Sequence, residues 1–157
     1  MQFHMLCGIP GSGKSTLAQS FQGFVVSTDS IRKFLWNDES EVRHDKLVFE
    51  VADSIIQYML ASKSDVIFDA TNLTVERRRK YVSLAKNLGA KVTVHWVNCP
   101  VEVALHHNAR RDRKVPVPVI KALHKSLQPP TSAEGMDKII IYTQDLSVSE
   151  EVVSRNP

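Results

Sequence analysis

The stretch that decides the fold is residues 8–15, GIPGSGKS. It matches the pattern GxxxxGK[ST] in full, in which glycines let successive backbone N–H groups converge on phosphate oxygens without obstruction by Cβ atoms. The apolar run Phe3 to Cys7 precedes it, and the segment from Ser15 to Phe21 contains no helix breaker, so the motif joins a predicted strand to a predicted helix. The segment therefore predicts a phosphate-binding loop at the N-terminus of a helix, where the helix dipole also favours an anion.

The donor nucleotide is expected to bind along this loop. Lys14 is predicted to neutralise the β- and γ-phosphates, and the Ser15 hydroxyl to hold Mg²⁺. The predicted ATP contacts are Gly8, Pro10, Gly11, Ser12, Gly13, Lys14, Ser15 and Thr16. The chain lacks the Asn-Lys-x-Asp sequence that guanine-binding NTPases often carry. ATP with Mg²⁺ is therefore the expected donor.

Outward from this loop, short apolar runs alternate with segments of helical periodicity. The later predicted strands lie near residues 24–26, 66–68, 92–97 and 139–142, and the most regular helical pattern runs from Leu47 to Leu60. Such alternation indicates an α/β fold with a parallel five-stranded sheet and helices on both faces. Ligands of such sheets bind at the carboxyl ends of the strands. Each candidate residue below falls at such an end.

Length and composition fit one globular domain spanning residues 1–157. The net charge of +3 is small, so any nucleic-acid binding is expected from a local basic patch. No apolar stretch approaches the roughly 20 residues that span a bilayer. The N-terminus runs straight into the phosphate loop, so we expect no signal peptide, a cytoplasmic location and no membrane partner. Residues 147–157 are polar and predict a loose tail.

An acceptor site is predicted at the end of the second strand. Asp29 follows this strand, and Arg32 lies one helical turn later. A carboxylate at this position suits a general base for an attacking hydroxyl, and an arginine suits an anionic group of the acceptor. The alternative is structural, with Asp29 as a helix N-cap and Arg32 solvated.

The third strand is followed by a second group of candidates. Asp69 follows Val66, Ile67 and Phe68 directly, as does the acid of a Walker B strand that reaches Mg²⁺ or a metal-bound water. We therefore predict Asp69 as a metal ligand beside Ser15. Asn72 is expected at the same cleft edge, orienting the acceptor or bracing Asp69, with a turn role as its alternative.

A helical lid is predicted over residues 101–118. Its basic segment contains Arg110, Arg111, Arg113 and Lys114, ahead of two prolines. An arginine delivered from such a segment to the β- and γ-phosphates would stabilise charge in the transition state. The alternative is a solvated basic helix end, which the helix dipole favours.

Together, the segments GIPGSGKST, STDSIR, VIFDATNLTVERRR and NARRDRKVPVPVIKALHKSL resemble the kinase domain of phage-type polynucleotide 5′-hydroxyl kinases over residues 1–130. The resemblance implies a P-loop kinase fold, Asp29 as general base and Arg32 on the acceptor's phosphate. It also implies that Arg111 is the lid arginine that contacts ATP and acts in catalysis, with Arg110 or Arg113 as alternatives because the spacing to Val115 differs by one residue. Asp69 and Asn72 match the family's aspartate and asparagine. The chain lacks the DxDGT-like phosphatase signature that several such kinases carry.

Three functions remain open on the sequence alone. The first is phosphorylation of a DNA or RNA hydroxyl, most simply the 5′ end. The second is a P-loop kinase of a modified base, a nucleoside or a small metabolite. The third is a nucleotide-binding regulator without transfer, although an acceptor base has no role in a simple switch. The oligomeric state cannot be read from the sequence.

Overall fold

The computed structural model describes residues 1–39, 41–112 and 114–154. Its strands are β1 Gln2–Cys7, β2 Phe24–Ser27, β3 Val66–Asp69, β4 Lys91–Val97, β5 Lys138–Tyr142 and β6 Val148–Val153. Its helices are α1 Lys14–Ala18, α2 Thr28–Trp36, α3 Asp45–Ala61, α4 Val75–Asn87, α5 Val101–Ala109 and α6 Val117–Ser126, with a short 3₁₀ turn at Ser132–Glu134. The predicted strands and the long helical pattern at residues 47–60 are confirmed. Arg113, an alternative lid arginine, lies outside the described residues.

The strands form one sheet in the order β2-β3-β1-β4-β5-β6. The first five are parallel, as predicted, but β6 pairs antiparallel with β5. The predicted sheet was therefore one strand short, because residues 148–153 of the predicted loose tail form a strand. Residues 155–157 of that tail lie outside the described residues. The apolar signal lies in Val148, Val152 and Val153, of which Val152 packs against the core next to Ile139 while its neighbours face outward.

Helices cover both faces of the sheet because side chains of each strand point to opposite faces. On β1, Phe3 and Met5 join the core beneath α3 and α4, while Leu6 joins the core beneath α1, α5 and α6. On β3, Phe68 and Ile67 divide in the same way. The central strands β1 and β3 are thus buried on both sides, as is typical of the parallel strands of α/β sheets.

This topology gathers the loops after β1, β2 and β3 at one edge. Since β1 lies at the centre of the sheet with β3 beside it, the phosphate loop and the segment after Asp69 are direct neighbours. Gly8 N donates a 3.0 Å hydrogen bond to the carbonyl of Thr71, which ties the two loops together. The candidate site therefore stands at the centre of the sheet.

No helix among the described residues is long and apolar enough to cross a membrane.

Candidate active site

A cavity of about 1030 Å³ opens at this edge of the sheet. Its walls come from the phosphate loop, the start of α2, the start of α3, the end of β3 and the inner side of α6. The predicted residues Lys14, Ser15, Asp29, Asp69 and Arg111 all line it. The fold therefore brings the proposed donor, metal and acceptor groups into one space.

The phosphate loop adopts a conformation that requires glycine at two positions. Gly11 has φ 86° and Gly13 has φ 98°, both in the left-handed region. A Cβ atom at Gly11 would lie 2.4 Å from the carbonyl oxygen of Ala104 in α5. Beyond the loop, α1 begins at Lys14, whose side chain is buried and takes part in none of the ion pairs found among the described residues. A buried, unpaired ammonium fits a phosphate as its partner.

Ser15 and Asp69 meet as the sequence predicts. The Ser15 hydroxyl donates a 2.7 Å hydrogen bond to Asp69 Oδ2. A hydroxyl and a carboxylate side by side are the hard oxygen ligands that Mg²⁺ takes in P-loop sites, where substrate phosphates and water complete the octahedron. No group of three or more His, Cys, Asp and Glu side chains suited to a metal occurs in the described parts of the chain. The donor set fits Mg²⁺ held jointly with a nucleotide.

Asp29 and Arg32 form an ion pair on the cavity wall, and a third residue joins them. Arg32 Nη1 lies 2.8 Å from Asp29 Oδ1, while Arg32 Nε and Nη2 donate to the two carboxylate oxygens of Asp45 at 2.9 and 2.8 Å. The Arg32 side chain is only 11% exposed, whereas that of Asp29 is 53% exposed. The arginine is thus held by two acids, and the Asp29 carboxylate remains open to the cavity.

The structural alternative for Asp29 is not what the fold uses. Ser27, not Asp29, is the N-cap of α2, and its side chain accepts a 3.2 Å hydrogen bond from Ser30 N. Asp29 lies in the first helical turn, where a negative charge is favourable but no cap is needed. Its carboxylate is therefore available for another role.

Asn72 lies below the cavity and not at its edge. It is fully buried and has φ 45°, and its Nδ2 donates to the carbonyl of Leu6 at 2.8 Å. The position fits the bracing and turn alternatives and does not fit direct contact with an acceptor. Its Oδ1 is buried without a hydrogen-bond partner among the described residues.

Arg78 belongs to the basic run at residues 77–80 of α4, a composition that by itself predicts mostly surface charge, yet Arg78 lies in the core. The side chain is fully buried, with Nε 2.6 Å from Glu134 Oε1. It also donates to the carbonyls of Asn72 at 2.9 Å and Gln128 at 2.7 Å. Arg78 therefore braces the loop after β3 from beneath.

The thiol of Cys7 is buried next to Arg78. Burial raises the pKa of this thiol to about 12, so Cys7 is not a nucleophile at neutral pH.

The predicted lid, residues 101–118, comprises helix α5, the connection to α6 and the first residues of α6. Helix α5 packs on the phosphate loop, with a ring nitrogen of His107 2.9 Å from the carbonyl oxygen of Gly11. Asn108 closes the loop by bonding both the N–H and the carbonyl of Val115, at 2.9 and 2.7 Å. Arg111 lines the cavity, whereas Arg110 is exposed outside it. The fold thus favours Arg111 over Arg110 as the arginine near the phosphates.

Several of these residues could not be identified from motif spacing. Asp45 lies 13 residues after Arg32, and Glu134 lies 56 residues after Arg78. For the buried pair of Arg78 and Glu134, the sequence contains one indication. Thr131-Ser-Ala-Glu134 is a capping box, and this motif fixes the Glu134 side chain. Asn108 offered no signal, because its partners are backbone groups.

Comparison with known proteins gives two curated relatives of similar identity. The chain is 25% identical over 144 residues to the L-seryl-tRNA(Sec) kinase of Methanococcus maripaludis, covering 85% of this chain and 55% of that protein. It is 26% identical over 143 residues to the bifunctional polynucleotide phosphatase/kinase of Schizosaccharomyces pombe, covering 86% of this chain and 32% of that protein. The chain thus spans about half or less of the length of these relatives.

Solved structures share the fold at lower identity. A chain of the Pnkp1/Rnl/Hen1 RNA repair complex superposes with a TM-score of 0.70 at 22% identity, over 81% of this chain and 44% of that chain. Kti12 of Chaetomium thermophilum, in complex with ADP-AlF3, superposes with a TM-score of 0.75 at 18% identity, over 91% and 89% of the two chains. Residues 3–130 match the AAA domain family AAA_33. The chain therefore belongs to this family, and both curated relatives named above carry a kinase activity in their names.

Proposed function

We propose that the protein is an ATP-dependent kinase that transfers the γ-phosphate to a hydroxyl carried by a nucleic acid, with the 5′-hydroxyl of DNA or RNA as the leading acceptor. One observation carries the proposal. The half-exposed Asp29 carboxylate, held by Arg32, shares a single cavity with Lys14, Ser15 and Asp69. A nucleotide switch needs Lys14, Ser15 and Asp69, but it has no use for a pair such as Asp29 and Arg32.

The reaction follows from these positions. The acceptor oxygen attacks the γ-phosphorus while its proton passes to the Asp29 carboxylate, and the bond from the γ-phosphorus to the β–γ bridging oxygen breaks to release ADP. Lys14 and Arg111 would stabilise the charge on the phosphates. Ser15 and Asp69 would hold Mg²⁺, which neutralises phosphate charge when bound. Arg32 is assigned the positioning of Asp29, because three of its N–H groups are committed to carboxylates.

The charge around the cavity supports a polyanionic acceptor. Between residues 103 and 131 there are six cations, Arg110, Arg111, Arg113, Lys114, Lys121 and Lys125, against the single acid Asp112. Lys121 and Lys125 are exposed one turn apart on α6, whose inner side forms a cavity wall through Val119 and Leu123. Exposed lysines on a helix that lines the cavity favour a phosphate backbone through non-specific electrostatic attraction. The similarity to a bifunctional polynucleotide phosphatase/kinase points to the same acceptor class.

A second acceptor is the seryl hydroxyl of an aminoacylated tRNA. The similarity to an L-seryl-tRNA(Sec) kinase, over 85% of the chain, favours it. The transfer chemistry is the same in both cases, because a primary hydroxyl carried by a nucleic acid attacks the γ-phosphorus. A nucleoside or a small metabolite would also use Asp29, but would leave the basic side of α6 without a function. A hydroxymethylated base in DNA would use both Asp29 and the basic side of α6, so the acceptor panel below distinguishes it from a 5′ end.

The experiment is transfer of label from γ-labelled ATP with Mg²⁺ to a panel of acceptors. The panel contains 5′-hydroxyl DNA and RNA oligonucleotides, seryl-tRNA, duplex DNA with hydroxymethylated bases, nucleosides, and gluconate as a small-metabolite control. Lys14→Ala is the inactive reference. Label on 5′ ends, absent with Lys14→Ala, is the expected result.

Each other outcome has a defined meaning. Label only on seryl-tRNA keeps the kinase chemistry and replaces the leading acceptor with the second one. Label only on modified bases, nucleosides or gluconate overturns the assignment to polynucleotide ends. Stoichiometric ATP binding without transfer to any acceptor would make the protein a nucleotide-binding regulator.

A further inference from the structure

Arg77, on the first turn of α4, packs against the aromatic ring of Phe49 on α3. The guanidinium carbon Cζ lies 3.8 Å from the ring centroid, a close cation–π contact. Both residues are half-buried, and both line the cavity that holds Asp29. The ring fixes the guanidinium by its flat face and leaves its edge, where the N–H donors lie, free to bind.

The two arginines on the acceptor side differ in what they already bind. Arg32 donates three hydrogen bonds to Asp29 and Asp45. Arg77 has no carboxylate within ion-pair distance among the described residues, and its guanidinium makes no hydrogen bond there. A half-buried guanidinium without hydrogen-bond acceptors is a ready site for a phosphate, which its planar fork matches in geometry.

A row of neighbouring residues connects Arg77 to the acceptor base. Asp29 pairs with Arg32, and Arg32 pairs with Asp45. Asp45 and Phe49 lie one turn apart on α3, a rise of about 6 Å, and Phe49 carries Arg77. A group whose hydroxyl meets Asp29 can thus extend along this wall and reach Arg77 at the far end. Phe49 and Arg77 also line a second groove of about 740 Å³ between α3 and α4.

The groove beyond Arg77 does not suit a longer polyanion. Its lining includes the acids Asp45, Glu50, Asp53 and Glu76 against the cations Lys46, Arg77 and Lys80. Lys80 is itself paired with Asp53 at 2.7 Å. Of these three cations, Arg77 is the one that also lines the cavity with Asp29. One phosphate is therefore favoured at Arg77, while the four acids beyond it disfavour further phosphates in this groove.

We propose that Arg77, stacked on Phe49, is the specificity residue that binds the phosphate attached to the acceptor nucleoside, and that Arg32 serves Asp29 instead. This inference rests on the proposed function and deepens it. The ligand chemistry is a phosphate ester next to the phosphorylated hydroxyl, whether the terminal 3′-phosphate of a mononucleotide or the first internucleotide phosphate of a strand.

The test compares three acceptors that carry the same 5′-hydroxyl: a nucleoside, its 3′-monophosphate and a short oligonucleotide. The enzymes are wild type, Arg77→Gln and Arg79→Gln. Arg79 is the matched control, because it is exposed on the same helix, outside the cavity, and the same charge is removed. The readout is kcat and KM for each acceptor, with thermal unfolding of each variant to establish that it is folded.

Wild type is expected to prefer both phosphate-bearing acceptors over the nucleoside. Arg77→Gln should lose about 10- to 100-fold in kcat/KM on these two acceptors, mainly through KM, and nothing on the nucleoside. Arg79→Gln should match wild type throughout. A loss on the 3′-monophosphate alone would assign the contact to a terminal phosphate, and a loss on both would assign it to the ester in general.

Three results would overturn the inference. Retention of the phosphate preference by Arg77→Gln would leave Arg32 or the α6 lysines as the phosphate ligands. An equal loss on all three acceptors would indicate a base-stacking or structural role for Arg77 and Phe49. If wild type phosphorylates none of the three, the proposed function fails and takes this inference with it, whereas an active wild type with an unaffected Arg77→Gln removes this inference alone.

Discussion

The hydroxyl of Ser15 donates a 2.7 Å hydrogen bond to the carboxylate of Asp69, across 54 residues of chain. The contact joins the start of α1 to the end of β3, two elements that the parallel register of β1 and β3 sets side by side. It is the point at which the phosphate loop and the acidic strand end become one site. Each prediction below tests a contact of this kind.

Removing either oxygen of this pair should weaken the use of Mg²⁺. For Asp69→Asn and for Ser15→Ala we expect the Mg²⁺ concentration that gives half-maximal transfer to rise by about 10- to 100-fold, since each variant removes one oxygen ligand or its support. The measurement is transfer rate against Mg²⁺ at saturating ATP. Ser20→Ala, which removes a hydroxyl bonded only to the carbonyl of Leu17, is the control. Superimposable Mg²⁺ titrations for Asp69→Asn and wild type would exclude Asp69 as a metal ligand.

Gly11 should tolerate no side chain, because α5 lies against it. In Gly11→Ala the new Cβ meets the Ala104 carbonyl oxygen at 2.4 Å, in addition to left-handed strain at φ 86°. Gly89 has the same φ and open space around it, so Gly89→Ala carries only the strain, about 1–2 kcal/mol. We expect ATP affinity to fall by about tenfold or more in Gly11→Ala and to stay unchanged in Gly89→Ala, measured by calorimetric titration. Equal ATP affinity in the two variants would mean that α5 moves aside freely.

The buried pair of Arg78 and Glu134 should be important for stability. Arg78→Met leaves an uncompensated carboxylate in the core, which typically lowers the free energy of unfolding by about 3–5 kcal/mol. The double variant Arg78→Met with Glu134→Leu should recover part of this loss, because no buried charge is left unpaired. Urea unfolding of the three proteins measures both effects. A loss below about 1 kcal/mol for Arg78→Met, the scale of an exposed ion pair, would contradict the role assigned to the pair.

Stability should also fall on acidification through a histidine cluster on the α1 side of the sheet. His95 forms two hydrogen bonds through its ring. Its Nε2 lies 2.9 Å from Nδ1 of His4, and its Nδ1 lies 2.7 Å from the hydroxyl of Tyr142. Burial lowers the pKa of His95 to about 3, and burial also lowers the pKa of His4 although Asp65 opposes the shift. The unfolded chain therefore binds more protons than the folded chain between pH 6.5 and 3, and stability is lost as pH falls through this window.

The slope of this loss can be measured. One fully shifted histidine contributes about 1.4 kcal/mol per pH unit below pH 6.5. His95→Gln, which keeps a polar side chain without titrating, should flatten the dependence of unfolding free energy on pH by about that slope. His124→Gln, at an exposed position on α6, should leave it unchanged. An identical slope in wild type and His95→Gln would show that the cluster takes up protons without unfolding.

The sequence was sufficient to predict the parallel sheet and the phosphate loop, because both depend on local patterns. Lys14, Ser15 and Asp69 belong to short motifs with fixed neighbours, and Asp29 lies two residues after the end of its strand. Strand β6 was missed because its alternation is interrupted by Ser149, Glu150 and Glu151, which suit the exposed side of an edge strand.

Other features depend on contacts between distant segments and could not be predicted. Arg77, Arg78 and Arg79 are chemically identical in the sequence, yet one is stacked on a ring, one is fully buried and one is exposed. The helical turn separates their directions by about 100° each, but which direction faces the core depends on where Glu134 and Phe49 lie. For the same reason Asp45 could not be recognised as the second partner of Arg32.

The most direct test of the account is phosphate transfer by Asp29→Asn to a 5′-hydroxyl oligonucleotide, measured beside ATP binding and thermal unfolding of the same variant. We expect a rate lower by about 10²- to 10⁴-fold, the usual contribution of a general base, with ATP affinity and unfolding unchanged, because Ser27 rather than Asp29 caps α2. Transfer at the wild-type rate by a folded Asp29→Asn protein would show that this carboxylate does not take the proton of the acceptor hydroxyl.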